Sequence, residues 1–355
     1  MNIIVYAVAV LVLYGLFLVT VRKGEKRVSC QRHFSCYAAF PGQEGQLIEV
    51  VRNDSPFIIP WLRLECRVEP CLKLGRQDNL YGDEYYGSLF TLMPYQQIRR
   101  THPVQFLHRG KVDLGRINIT VGDPLGINQL RRKQEASAPV LVYPALLAPD
   151  QIPLPMSRYL GELCRRQQLQ TDPFLVRGIR AYQIGDPVRD IHWPATARMG
   201  QVQVRVRDYT SRTKLMVVLN TQKDQQQWQD QVRPEEEEIV EYGICLAATL
   251  CTQALRSGLS AGFAANMPQF WEGPSTIVLP QDGFLQEEEL LSAMARLEIR
   301  RTQDFCFLLK ELNRQTDLDM VVLSMYDSPD IQAALEQLRQ AGNQVTFFRL
   351  RGVGK

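Results

Sequence analysis

No His-Glu-x-x-His run, no Cys-x-x-Cys pair and no Gly-rich loop closing on Lys-Ser or Lys-Thr occurs in the chain. These absences remove the zinc hydrolase, the dithiol or zinc-ribbon site and the P-loop nucleotide site from consideration. Histidine is scarce, with four residues: His33, His102, His108 and His192. None stands in a recognisable Ser-His-Asp setting, and His102 and His108 lie six apart without an acidic neighbour at close spacing, so neither nucleophilic catalysis nor a metal pair is indicated. The eight cysteines (Cys30, Cys36, Cys66, Cys71, Cys164, Cys245, Cys251 and Cys306) form no Cys-x-x-Cys pair and read as free thiols in a reducing compartment. Excess charge is also lacking: a net charge of +3 over 355 residues gives no electrostatic case for a nucleic-acid partner.

What the chain does have begins with an apolar run from Ile3 to Val21. Its length suits one bilayer crossing, which predicts a transmembrane helix over residues 1–21. A cleaved signal peptide is disfavoured because Asn2 is the only polar residue before the run, with no basic n-region and no small-x-small cleavage site. Arg22, Lys23, Lys26 and Arg27 form a basic juxtamembrane linker over 22–27. Their one-sided placement predicts a single-pass protein of the cell membrane whose C-terminal body is cytoplasmic.

Residues 28–143 alternate in short apolar/polar segments broken by Pro41-Gly42, Asn53-Asp54-Ser55-Pro56, Gly82-Asp83 and Asp123-Pro124-Leu125-Gly126. That pattern predicts a β-sandwich. Leu47, Glu49 and Val51 fall on one face of a candidate strand, and Leu62, Leu64 and Cys66 oppose Arg63, Glu65 and Arg67 in another. The stretch from Gly75 to Gly87, with Tyr81, Tyr85 and Tyr86 among acids, reads as a hairpin tip. Prolines 144, 149, 153 and 155 make 144–170 a connector that ends in a helix from Ser157, with Leu160 and Leu163 on one side.

Over 210–355 strands alternate with helices: Leu215–Leu219, a helix Glu235–Ser257, Leu259–Ala265, a helix Leu285–Leu297, Met320–Ser324, a helix Ser328–Ala341, and Val345–Leu350. A doubly wound parallel sheet is the expected outcome.

The densest chemistry lies in 171–209, where Arg177, Arg180, Arg189, Arg198, Arg205 and Arg207 surround a Gly185-Asp186-Pro187 turn, and Trp193 follows His192. From Gln201 onward, Val202, Val204 and Val206 alternate with Gln203, Arg205 and Arg207, giving a strand with one cationic face. Two uses are open. In one, Asp186 is the shared counter-charge of the arginines and Trp193 a buried plug, so the segment locks the fold. In the other, the arginines form a docking surface for an acidic partner, with Arg205 and Arg207 facing it, or a phosphate site.

Phe174, Arg180, Tyr182, Gly185, Asp186, Arg189, Ile191, Trp193, Ala197 and Arg198 follow in order the signature of a bacterial family catalogued as domain of unknown function 58, which this segment resembles. Ala181 and Pro194 depart from it, where the family often has Glu and Lys. The resemblance implies a membrane-anchored chain with a von Willebrand factor A-like domain after the signature, and a MoxR-type AAA+ ATPase as protein partner. The fold class expected is therefore α/β plus all-β: one transmembrane helix, a β-sandwich, and a von Willebrand factor A-like doubly wound domain. That fold carries a D-x-S-x-S cation site after its first strand, whose counterparts here are Asn220, Thr221, Gln222, Lys223 and Asp224, with Ser324 on a later strand followed by Met325. The carboxylate that a hard cation needs is replaced by Asn220, so the site reads as degenerate, no cofactor is expected, and Mg²⁺ would be the ion of any remnant. The function expected is a non-enzymatic scaffold in cell-envelope or complex assembly. Two rivals remain: an enzyme acting on an anionic, phosphorylated envelope precursor through the arginines and Asp186, and an exported, cation-dependent adhesion domain.

Overall fold

The computed structural model describes residues 6, 8, 14–15, 23–24, 26–68, 70–74, 80–81, 85–122, 128–169, 171–183, 186–209, 213–225, 232–270 and 273–350. The chain divides into two compact units, Met1–Ala145 and Leu146–Lys355. Of the apolar run at 3–21, only Tyr6, Val8, Tyr14 and Gly15 are among the described residues, and the rest lies outside them. No helix among the described residues is long and apolar enough to cross a membrane, so the transmembrane helix expected over 1–21 is not supported.

The first unit is built of strands. One antiparallel sheet runs β1 (Val28–Phe34), β3 (Glu44–Asn53), β8 (Gln97–Phe106), β5 (Leu72–Leu74). A second runs β11 (Gln129–Glu135), β10 (Arg116–Gly122), β4 (Ile59–Arg67), β7 (Tyr85–Leu92), β6 (Leu80–Tyr81). A third, small sheet joins β2 (Ala38–Ala39), β12 (Pro139–Val142) and β9 (Gly110–Asp113). The period-2 pattern decides which side chains meet: β4 buries Leu62, Leu64 and Cys66, which pack with Val28, Cys30 and Val51 of the first sheet and Ile117, Ile119 and Val121 of β10, or with Phe34, Leu47 and Phe106. Arg63, Glu65 and Arg67 take the opposite face.

Two side chains in this unit depart from expectation. Tyr86 is fully buried, where a hairpin tip was expected. Glu49 shares the inner face with Leu47 and Val51 and is fully buried too; Arg32 of β1 donates to its Oε1 from Nε (2.9 Å) and Nη2 (2.6 Å). The acidic neighbour that His102 lacks in sequence is this same Glu49, whose Oε2 lies 3.7 Å from His102 Nε2.

In the second unit, helix Leu154–Leu169 buries Met156, Leu160 and Leu163. It leads to the hairpin of β13 (Thr171–Ala181) and β14 (Gln203–Tyr209). Beyond the hairpin lies a five-stranded sheet in the order β17 (Thr276–Gln281), β16 (Ser260–Ala265), β15 (Lys214–Leu219), β18 (Asp319–Ser324), β19 (Gln344–Arg349). β15 is buried on both faces, as its unbroken apolar run demands. Helices Phe305–Leu312 and Pro329–Gln340 share one core cluster with Met216, Val218, Met320 and Val322, while helix Pro234–Arg256 packs on β15 and β16 and against helix Phe284–Ala295.

The sheet is mixed, which corrects the von Willebrand factor A-like, wholly parallel arrangement expected from the alternation. β17 runs antiparallel to β16, and the register breaks between Ala261 and Phe263. The break has a local cause: Pro280 has no N–H for the ladder, and a Cβ on Gly262 would lie 2.7 Å from the Pro280 nitrogen and the Val278 oxygen. Helix Phe305–Leu312 was also missed, although Phe305, Leu308, Leu309 and Leu312, all buried, carry the i, i+3, i+4, i+7 spacing of a single helical face.

Candidate functional site

The signature folds as an antiparallel hairpin with a helical insert. Arg180 pairs with Val204 and Ala181 with Gln203, and Tyr182 N–H donates to Val202 O at 2.9 Å. The chain then makes a single 3-10 turn at Val188–Asp190 and a short helix, Trp193–Met199. His192 caps that helix: its Nδ1 accepts from Ala195 N–H at 3.0 Å, so the ring is used structurally. Thr196 Oγ1 donates to His192 O (3.1 Å) and accepts from Gln203 N–H (3.0 Å), while His192 N–H donates to Gln203 O (2.8 Å). Gly200, at φ 68°, ends the helix in the left-handed conformation that glycine adopts without penalty.

Asp186 accepts a bidentate pair from Arg180 (Nη1 2.8 Å, Nη2 2.7 Å) and a further bond from Gln183 N–H (2.8 Å). The Arg180 fork, then the Gln183 amide, holds the Asp186 carboxyl below the usual carboxylate range. It is not a shared counter-charge: among the described residues Arg189 and Arg198 have no carboxylate within 4.0 Å. Nor is Trp193 a buried plug. It is 64% exposed, with Val188 at 71% and Met199 at 68%, and Tyr182, Ile179 and Val202 are exposed as well. Arg189, Ala197, Arg198 and Arg205 lie on the surface, and Ile191 is half-buried in a bridge to Val204. The strand opens at Gln203, which is buried beside Val204, so the alternation expected from Gln201 starts two residues late. Gly185 lies outside the described residues, as do the side chains of Phe174 in β13 and Arg207 in β14.

At the carboxyl end of β15, most of the residues expected at a degenerate cation site are joined by hydrogen bonds. Asn220 Oδ1 accepts from Gln222 N–H (3.0 Å) and Asn266 Nδ2 (3.2 Å), and its Nδ2 donates to Ser324 Oγ at 3.0 Å. Thr221 donates to Asn266 Oδ1 from both N–H (2.9 Å) and Oγ1 (3.1 Å), and Gln222 Oε1 takes the Phe305 N–H at 2.7 Å. Ser324 Oγ in turn donates to Tyr326 O at 2.7 Å. Arg301, its side chain enclosed, donates to Thr221 O (3.0 Å) and Glu236 Oε2 (2.8 Å), which brings a guanidinium to the loop after β15. Asp224 is on the surface. The donor set does not fit a hard dication, whose oxygens would have to come from groups already engaged by N–H donors. Millimolar Mg²⁺ or Mn²⁺ is accordingly expected to leave the thermal midpoint unchanged. A ligand at one hundred times its Kd would add about 2.7 kcal/mol, which differential scanning would register.

Neither Tyr326 nor Cys251 is primed as a nucleophile. Burial, then Cys306 and the carboxylates of Asp304 and Asp224, push the Tyr326 phenol up to about 12, and burial does the same to the Cys251 thiol. Gly258–Gly262 spells G-x-S-x-G, but Ser260 opens β16 after a helix and is buried, the reverse of the strand-to-helix elbow that exposes a catalytic serine.

Residues 178–340 match the family described as Protein of unknown function DUF58, which supports the family resemblance of the signature. No curated protein is matched by the chain. Among solved structures, the CARDB domain of the PF1109 protein from Pyrococcus furiosus is 16% identical, over 32% of this chain and 93% of that one, at a TM-score of 0.22. A non-cellulosomal cohesin from Archaeoglobus fulgidus is 12% identical, over 33% and 91%, at 0.23. Likenesses this low carry no argument about fold or function.

Proposed function

We propose, from the DUF58 match over residues 178–340, that this chain is a non-enzymatic interaction protein that docks a protein partner through the surface of its signature hairpin. The partner we propose is a MoxR-type AAA+ ATPase, in a role assembling complexes or the cell envelope. One observation carries the reading: Val188, Trp193 and Met199 are each more than 60% exposed within twelve residues, with Arg189 and Arg198 among them. An exposed tryptophan flanked by arginines has the composition of an interaction hot spot, because such side chains give large contact area and charge-assisted hydrogen bonds. The guanidiniums of Arg189 and Arg198, without a carboxylate partner among the described residues, favour an acidic face on the partner.

The test is direct binding of the purified chain to the purified MoxR-type ATPase of the same genome, with and without ATP. Trp193→Ala combined with Val188→Ser should change stability by less than about 1 kcal/mol, because both side chains are exposed. The same variant should weaken capture at least tenfold, about 1.4 kcal/mol. Arg189→Gln with Arg198→Gln should weaken it most at low salt. A complex that forms equally well with both variants, or no complex at all, refutes the reading.

A further inference from the structure

One face of the five-stranded sheet in the first unit carries Trp61, Arg63, Leu89, Thr120 and Arg131. A groove of about 960 Å³ opens there, lined among others by Trp61, Arg63, Leu89, Arg100, Thr120 and Arg131. Strand register explains why these residues meet. Leu89 of β7 pairs with Arg63 of β4, Arg63 with Thr120 of β10, and Thr120 with Arg131 of β11, so the four form a cross-strand row on one face. With strands about 4.8 Å apart, Arg63 and Arg131 stand two strands, or roughly 10 Å, from each other across Thr120. In the next row Trp61 pairs with Gly122, and the indole lies directly on that glycine: a Cβ there would be 2.1 Å from Trp61 Cζ2. The glycine therefore lets a flat aromatic surface form part of the groove. Arg100 reaches the same groove from β8, its guanidinium held 4.0 Å above the Phe90 ring.

The charge is unbalanced. Among the described residues Glu65 is the only carboxylate lining the groove, and it is bound to Arg63 at 2.7 Å. Among the described residues, neither Arg100 nor Arg131 has a carboxylate within 4.0 Å. Guanidinium forks match carboxylate and phosphate alike, but three of them lining one groove offer more donors and more charge than a single carboxylate would satisfy. The volume lies within the range of small-molecule sites, about 300–1,000 Å³.

We propose that this groove binds a small phosphorylated molecule carrying at least two negative charges, its phosphoryl oxygens held by Arg63, Arg100 and Arg131 and a planar part resting on Trp61. The site lies outside the 178–340 match and does not depend on the docking role of the signature. Calorimetric titration of the full chain with inorganic pyrophosphate and with adenosine 5′-diphosphate tests it. Both should bind saturably, the nucleotide more tightly, and Trp61→Leu should remove the nucleotide's advantage while leaving pyrophosphate binding in place. Arg131→Gln and Arg100→Gln should each weaken both probes about tenfold, the change expected when a hydrogen bond to a charged group is lost. Arg116→Gln, on β10 but outside the groove, should not. Absence of saturable heat from either probe at millimolar concentration, or an equal loss in Arg116→Gln, would overturn the proposal.

Discussion

Replacing Glu49 with alanine should lower the unfolding free energy of the first unit by about 3–5 kcal/mol, as expected when one member of a buried ion pair is removed. Both side chains of the Arg32–Glu49 pair are fully enclosed, and Arg32 Nη1 has no hydrogen-bond partner even with Glu49 present. Without the carboxylate, the guanidinium is left uncompensated between two sheets. Desolvation and attraction nearly offset each other in such pairs, so replacing both residues, as Arg32→Met with Glu49→Leu, should recover most of the loss. Chemical denaturation of the three proteins distinguishes a broken pair from a mere cavity, since a cavity would not be repaired by the second substitution.

The same pair sets an acid dependence. Burial alone would raise the Glu49 carboxyl, but His102 facing its second oxygen and the Arg32 guanidinium outweigh it and hold the group below the ordinary range. A carboxyl depressed in the folded state contributes stability that is complete above its unfolded pKa, about 4.3 for glutamate, and is lost as pH falls through the folded value. Unfolding of the wild type should therefore become easier below about pH 4, and the Met/Leu double variant should lack that share of the dependence. His102 is held in turn by Tyr86, whose hydroxyl lies 2.9 Å from Nε2 and accepts from Ser88 Oγ at 2.8 Å, so the cluster spans both sheets.

Arg301→Ala should destabilise the second unit by a comparable amount, about 3–5 kcal/mol. Arg301 Nε holds the Thr221 carbonyl at the end of β15 and its Nη2 holds Glu236 in the first turn of helix Pro234–Arg256, so one side chain fastens the sheet end to a helix start. Glu236 also takes Lys223 at 3.4 Å and the Arg233 N–H at 3.3 Å. Losing the guanidinium leaves both a carbonyl and a carboxylate without their enclosed donor. A double-mutant cycle with Glu236→Ala should show a coupling of about 0.5–3 kcal/mol, and strict additivity would mean the pair is not what fastens the loop.

Local pattern was enough to read β4, whose alternation separates Leu62, Leu64 and Cys66 from Arg63, Glu65 and Arg67, and β15, whose apolar run requires burial on both faces. The interior charge was not legible, because Arg32 and Glu49 are 17 residues apart and Arg301 and Glu236 are 65 apart, distances that no helical or strand period spans. Glu49 in sequence looks like the one polar lapse of an apolar face. Trp193 misled for the opposite reason: size and apolarity predict burial only when a partner surface covers them, and here the exposed face belongs to a seven-residue helix. The absence of a carboxylate at Asn220 could be read from the sequence, but not the hydrogen-bond network around it, which involves Asn266 and Phe305 far along the chain.

The signature insert is tied chiefly to itself. Tyr182 to Val202, His192 to Gln203, Gln203 to Thr196 and Asp186 to Arg180 all run between residues 180 and 203. A segment whose shape is set by its own bonds is portable. Placed between two strands that keep the Ala181–Gln203 register, it would present the same tryptophan and arginines from a different scaffold, as a grafted recognition module rather than as a part of this chain.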